Sequence, residues 1–192
     1  MKKVLFLLIS VFAFAAANAG SNGIETAQKG DFNLGLMVGV PPVGGEWDED
    51  MPMISLDASW VIASGFINTS KFGQNGAVDL GLYYGVCSYS YDWNNGHQKG
   101  TKGLLQNALL FRGGFHFQFI EKLDTYAGAM AGVNIWSPTR DSDWKTDSKG
   151  AYGLYTGAKY YFTDMFGVKL ELAHDFNEDN LPVFSAGMAF KF

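Results

Sequence analysis

Cysteine is nearly absent from this chain. Cys87 is the only one in 192 residues, so neither an internal disulfide nor a cysteine-built metal cluster is available. Cys87 itself reads as a small residue on a strand face. Basic charge is scarce as well: 14 Lys and Arg stand against 19 Asp and Glu, for a net charge of −5. A nucleic-acid partner needs a basic footprint, which this composition excludes. Charged residues of both signs make up only 17% of the chain, less than the outside of a soluble all-β domain usually carries. Past the N-terminus no apolar run approaches the ~20 residues of a spanning helix. Anything that crosses a bilayer here must therefore be a closed barrel of strands. Metal-protease and phosphate-loop motifs are missing, and no cofactor or metal site is expected.

What is present begins with a targeting signal. Lys2 and Lys3 precede the apolar stretch Val4 to Phe14, and Ala17-Asn18-Ala19 has the small-x-small form of a cleavage site. Residues 1–19 are expected to be a secretory signal peptide, with Ala15-Ala16-Ala17 as the alternative cleavage site. No cysteine follows either site, which argues against a lipoprotein. Loss of Lys2 and Lys3 takes the net charge from −5 to about −7. Residues 20–30 read as a short leader and 31–192 as one domain.

That domain alternates. Eight segments show a two-residue period, which puts one strand face in an apolar medium and the other against something polar. They fall at 31–40, 53–63, 77–87, 105–119, 124–135, 151–162, 166–176 and 183–192. In the second, Ile54, Leu56, Ala58, Trp60 and Ile62 oppose Ser55, Asp57, Ser59 and Val61. In the last, Phe184, Ala186, Met188, Phe190 and Phe192 oppose Ser185, Gly187, Ala189 and Lys191. Each length suits a tilted bilayer crossing, and an even count lets the first and last strands pair and removes both edges. Glu121-Lys122 and Thr163-Asp164-Met165 read as tight periplasmic turns. Segments 41–52, 92–103, 136–150 and 175–182 read as longer outer loops. Residues 65–76 are too long for a periplasmic turn, so either the flanking strands run further or something else orders that turn.

Alternation alone does not say which face meets lipid, because a secreted ligand-binding calyx is the same drawing turned inside out. Here the polar face is mostly glycine and small residues interleaved with Tyr83, Tyr126, Tyr155 and Tyr161, which suits a narrow lumen filled by interlocking side chains. Aromatics also gather near strand ends, at Trp60, Tyr84, Tyr160, Phe162, Phe190 and Phe192, as interfacial girdles do. The fold expected is an all-β, eight-stranded antiparallel up-and-down transmembrane β-barrel. The runs Gly157-Ala158-Lys159-Tyr160-Tyr161-Phe162-Thr163, Gly167-Val168-Lys169-Leu170-Glu171-Leu172 and Gly187-Met188-Ala189-Phe190-Lys191-Phe192, with Leu123-Asp124-Thr125-Tyr126-Ala127-Gly128, resemble the short Gram-negative outer-membrane β-barrel family related to OmpX and the OmpA transmembrane domain. The resemblance spans the whole mature chain and is architectural. It implies an outer-membrane protein with membrane-stabilising, adhesive or host-contact roles. Its partners would be outer-membrane lipid and lipopolysaccharide, the barrel-assembly machinery during biogenesis, and an extracellular protein. It also implies a monomer, with Met188, Phe190 and Phe192 as a C-terminal assembly signal.

The lumen face carries Asp57, Asp79, Arg112, His116, Lys159, Lys169, Glu171 and Lys191. Buried charges are costly unless paired, so these are expected to form a structural network that fills and seals the barrel. Strand direction pairs Glu171 with Lys159 or Lys169, and Asp79 with His116 or Arg112. A lipid-modifying barrel enzyme is the rival reading. It needs a nucleophile, a base and an orienting carboxylate within reach. Of the three histidines, His97 lies in a loop and His116 in the lumen. Only His174, beside Asp175, offers a lipid-accessible base. Trp47, Trp93, Trp136 and Trp144 are candidate outer-loop contacts, since exposed aromatics anchor protein recognition. The acidic loop residues 46–50, Asp175, Glu178 and Asp179 offer bridges through divalent cations, and Asp141-x-Asp143 lacks the rest of a calcium-loop spacing.

Overall fold

In a computed structural model, the chain closes into a single barrel of eight antiparallel strands, each hydrogen-bonded to its sequence neighbours, with the last pairing the first. The strands are β1 (Phe32–Val40), β2 (Asp48–Thr69), β3 (Gly73–Asn94), β4 (Lys99–Ile120), β5 (Leu123–Arg140), β6 (Asp147–Tyr161), β7 (Phe166–Asp175) and β8 (Phe184–Lys191). The structure describes residues 26–40, 48–69, 73–94, 99–140, 145–177 and 181–192. The signal-peptide reading of 1–19, and Trp47, His97, Asp141, Asp143, Trp144, Glu178 and Asp179, fall outside the described residues.

The expected parity holds on every strand. Leu36, Ile54, Leu56, Leu80, Leu82, Phe111, Leu154 and Leu170 point outward and are exposed, while Asp57, Asp79, Arg112, His116, Lys159, Lys169 and Glu171 are buried inside. An apolar outside over a charged inside is the arrangement of a barrel in hydrocarbon. It turns the calyx alternative inside out. Phe111, 71% exposed, is the extreme case.

Closure is made at the ends of the chain. Phe32 and Phe192 exchange both backbone hydrogen bonds at 2.9 Å, and their rings stack at 6.4 Å. Trp60 meets Phe32 edge-on at 6.3 Å, and Phe166 packs on Phe190 at 5.4 Å. The terminal aromatics thus form part of a girdle around the end that holds the termini and the tight turns. The strand lengths depart from expectation. The loop expected at 92–103 is mostly strand, since β3 runs to Asn94 and pairs there with Lys99. The loop expected at 136–150 is likewise shortened, with Trp136 paired to Asp147 across β5 and β6. At the other end β2 and β3 run on to Thr69 and Gly73, so the long turn at 65–76 is a hairpin extension. Gly65 and Gly76 bend it with φ of 78° and 79°, a region where glycine carries no steric cost.

Candidate functional site

Inward positions on six strands converge on one charged cluster. Lys169 of β7 places its Nζ 2.5 Å from Asp57 Oδ1 of β2 and 3.2 Å from Glu171 Oε2. Arg112 Nη2 of β4 lies 2.8 Å from the same Glu171 oxygen, and its guanidinium sits 3.6 Å above the Tyr155 ring. Tyr126 donates its hydroxyl hydrogen to Glu171 at 2.9 Å. Toward the turn end, His116 Nδ1 lies 2.9 Å from Asp124 Oδ2 and Nε2 lies 3.1 Å from Asp79 Oδ2. The latter contact is close but off the ring's donor direction. Lys159 Nζ lies 3.2 Å from Asp124. Seven of the eight expected lumen residues belong to this network, Lys191 being the exception, and the pairings read from strand direction, Glu171 with Lys169 and Asp79 with His116, are present.

Asp124 is the residue that sequence reasoning missed. It is fully buried and holds both His116 and Lys159. Its signal was available, since it shares the inward parity of Tyr126, Gly128 and Met130. It stands beside the tight turn, however, and reads as turn charge. Lys191 sits apart, 3.8 Å from Asp31 at the mouth. Burial raises the Asp31 carboxyl above its ordinary range, and the Gln28 N–H and Lys191 oppose that shift.

Glycine makes room for the rings in this cluster. A Cβ on Gly157 would run into Tyr126, and one on Gly128 into Tyr155 and the Gly113 carbonyl. Each tyrosine therefore lies flat on the opposite strand's backbone, and the Tyr155 ring carries Arg112. Above the charges the lumen turns apolar: Met37, Met53, Cys87, Ala108, Leu110, Met130 and Leu181 form one buried cluster with the tyrosines. Cys87 sits between Tyr89 Oη at 3.2 Å and Gln106 Oε1 at 3.4 Å, a packing role. The cavity bordered by Asp57, Asp79, Arg112, His116 and Lys159 measures about 20 Å³, room for a water and little else. Side chains pack this part of the lumen.

The structure of the OprF N-terminal β-barrel domain from Pseudomonas aeruginosa superposes on this chain with a TM-score of 0.50 at 15% identity, covering 87% of this chain and all of that one. This chain has the fold of the small outer-membrane barrels. OprG of Pseudomonas aeruginosa (TM-score 0.47, 12% identity, 88% and 99% covered) and the attachment invasion locus protein Ail of Yersinia pestis (0.46, 13%, 86% and 100%) are also similar. No protein-family model and no curated protein matches the sequence. In a barrel of this fold, the end with the tight turns and termini is periplasmic and the other faces outward.

The remaining candidates are placed as follows. His174 points out of the barrel, edge-on to Phe176 at 5.1 Å, whereas Asp175 is buried inside and accepts the Asn177 N–H at 2.9 Å. Strand alternation puts the two on opposite faces, so they cannot act as a base and its orienting carboxylate. Trp93 and Trp136, expected in loops, lie in the outer parts of β3 and β5. Trp93 covers Gly100 on β4, and Lys149 lies 5.9 Å from the Trp136 ring. Trp47 and Trp144 lie outside the described residues. At the C-terminus Met188 faces outward, and Phe190 and Phe192 are half-buried in the girdle.

Proposed function

We propose that this chain is a sealed outer-membrane barrel that supports the membrane and presents its outer strand ends to an external partner, and that it is not an open pore. The observation that carries this reading is the lumen. Charged pairs fill its lower half, mainly apolar side chains with buried Gln106, Asn134 and Asp175 fill its upper half, and the two voids that border the charges measure only about 20 and 30 Å³. The strands most extended on the outer side, β2 to β5, are polar there. Asp50 accepts from Ser90 at 2.7 Å, and Asp92 accepts from Thr101 at 2.7 Å. This rim suits contact with lipopolysaccharide headgroups and an extracellular protein. The C-terminal strand ending in Met188, Phe190 and Phe192 is the segment we assign to the barrel-assembly machinery.

Reconstitution tests the sealed state, and cell adherence tests the contact role. The full-length barrel in planar bilayers is expected to give no steady current of porin size; such a current would sink the sealed reading. Cells expressing a barrel whose residues 90–101 are replaced by a tight turn are expected to adhere less to host-cell monolayers. Unchanged adherence would remove the contact role and leave the barrel reading intact.

A further inference from the structure

With all four of its carboxylates ionised, the network's charges balance only if His116 carries one of them. Asp57, Asp79, Asp124 and Glu171 supply four carboxylates, and Arg112, Lys159 and Lys169 supply three permanent cations. Both ring nitrogens of His116 face carboxylate oxygens, Asp124 on β5 at 2.9 Å and Asp79 on β3 at 3.1 Å. A neutral imidazole has one donor and one acceptor nitrogen. In that form one ring nitrogen lies within about 3 Å of a carboxylate oxygen with no hydrogen between them. The imidazolium carries a hydrogen on both nitrogens, bonds Asp124 through Nδ1, attracts Asp79 by charge across 3.1 Å, and supplies the fourth positive charge.

The other groups facing His116 do not replace it. Tyr126 of β5 lies with its ring 5.5 Å away and gives its hydrogen to Glu171. Lys159 of β6 sits on Asp124. Arg112 of β4 is engaged by Glu171 and Tyr155, and Lys169 of β7 by Asp57 and Glu171. Asp57 and Tyr155 border the same void. A second cavity of about 30 Å³ lies on the periplasmic side of His116, lined by Thr26, Ser64, Asn75, Gln118 and Asp124. Its floor is hydrogen-bonded. Thr26 donates its backbone N–H and its hydroxyl to Gln118 Oε1 at 3.4 and 3.2 Å, and Asn75 exchanges two bonds with the Gln118 backbone at 2.7 and 3.0 Å. Gln118 is the next inward residue after His116 on β4. Polar side chains border both cavities, and each is large enough for water. On the outer side a mainly apolar cluster packs over the charges, with Gln106, Asn134 and Asp175 also buried there. The cavity next to the periplasm thus offers a proton a polar route to His116.

We propose that His116 is a periplasm-facing pH switch in the plug: as imidazolium it ties β3, β4 and β5 together through Asp79 and Asp124, and loss of its proton loosens the Thr26–Gln118–Asn75 floor. The chemistry sensed is the proton itself. The proposal rests on the sealed-barrel reading. A porin-sized current would defeat that reading alone, because the experiment below does not measure conductance.

The experiment is imidazole nitrogen NMR on the full-length, ¹⁵N-histidine-labelled barrel refolded in micelles. His97→Gln and His174→Gln leave the plug intact and assign the His116 signals by elimination. The expected result is hydrogen on both His116 nitrogens at about pH 7. The protection factors of the Gln118 amide and the Asn75 side chain, corrected for the base-catalysed rise of intrinsic exchange, should then fall about tenfold over the pH range in which the second hydrogen leaves. Asp79→Asn should move that range to lower pH. A single protonated nitrogen at about pH 7 overturns the proposal. So does loss of the second hydrogen with the floor's protection factors unchanged, or a titration that Asp79→Asn does not move.

Discussion

Lys169 touches two carboxylates at once, Asp57 at 2.5 Å and Glu171 at 3.2 Å, and is almost fully buried. Its removal does not affect the two equally, because Glu171 keeps Arg112 at 2.8 Å while Asp57 loses the cation it faces. Breaking a buried pair from one side leaves an uncompensated charge, at a cost of about 3–5 kcal/mol. Lys169→Met is therefore expected to lower the unfolding free energy in urea by about 3 kcal/mol. Adding Asp57→Asn removes the stranded charge and is expected to recover most of that loss. If the double variant is no more stable than the single one, the pair is not the unit of stability that the geometry makes it, and the coupling lies with Glu171 instead.

The periplasmic extension of β2 and β3 belongs to the element scale. Neighbouring β4 ends near it, and its last inward residues lack a full ladder partner. Asn75 supplies one with its side chain, which binds both the N–H and the carbonyl of Gln118. Asn75→Ala is expected to speed exchange of the Gln118 amide and to destabilise the barrel by about 1–3 kcal/mol, the cost of leaving buried partners unsatisfied. An unchanged exchange rate would mean that the floor is held by Thr26 instead. The same element shows where the sequence was legible and where it was not. Between Met53 and Val61, or Ala77 and Cys87, hydrocarbon on one side and a packed lumen on the other force strict alternation, so strand, face and pairing can all be read. Beyond Gly65 and Gly76 the backbone bends through positive φ, and the pairing of β2 with β3 shifts register. From Ser88 to Asn94 both faces leave the hydrocarbon, and polar residues fall at either parity. In those stretches the physical cause of the pattern is gone, so real strands read as loops. The charge network was legible for the same reason that alternation was. Only Asp124, at the last inward position before a turn, was hidden by its neighbours Glu121 and Lys122.

At the scale of the whole molecule, these two regimes divide the barrel into parts with separate duties. The membrane belt and the plug are held by strand pairing from Phe32 to Phe192, and that ring closes only through the last strand. Met188, Phe190 and Phe192 share a face, and the Phe192 backbone completes the seam with Phe32 at 2.9 Å. The outer halves of β3 and β4 pair with each other well above that belt, so they add surface without adding closure. Two deletions should therefore behave oppositely. Replacing residues 90–101 with a tight turn is expected to leave a barrel that resists detergent and shifts mobility only on boiling, because every inward charge pair and the β1–β8 seam remain. Removing Phe190, Lys191 and Phe192 takes away the Phe32 pairing, the Phe166 and Phe32 ring contacts and the Lys191–Asp31 pair together. Sheet edges exposed in lipid leave backbone groups with no partner, so this variant is expected to lose the mobility shift and the detergent resistance. If both deletions abolished the shift, the outer strand ends would be part of what closes the barrel, and the division between a load-carrying belt and a presented rim would have to be abandoned.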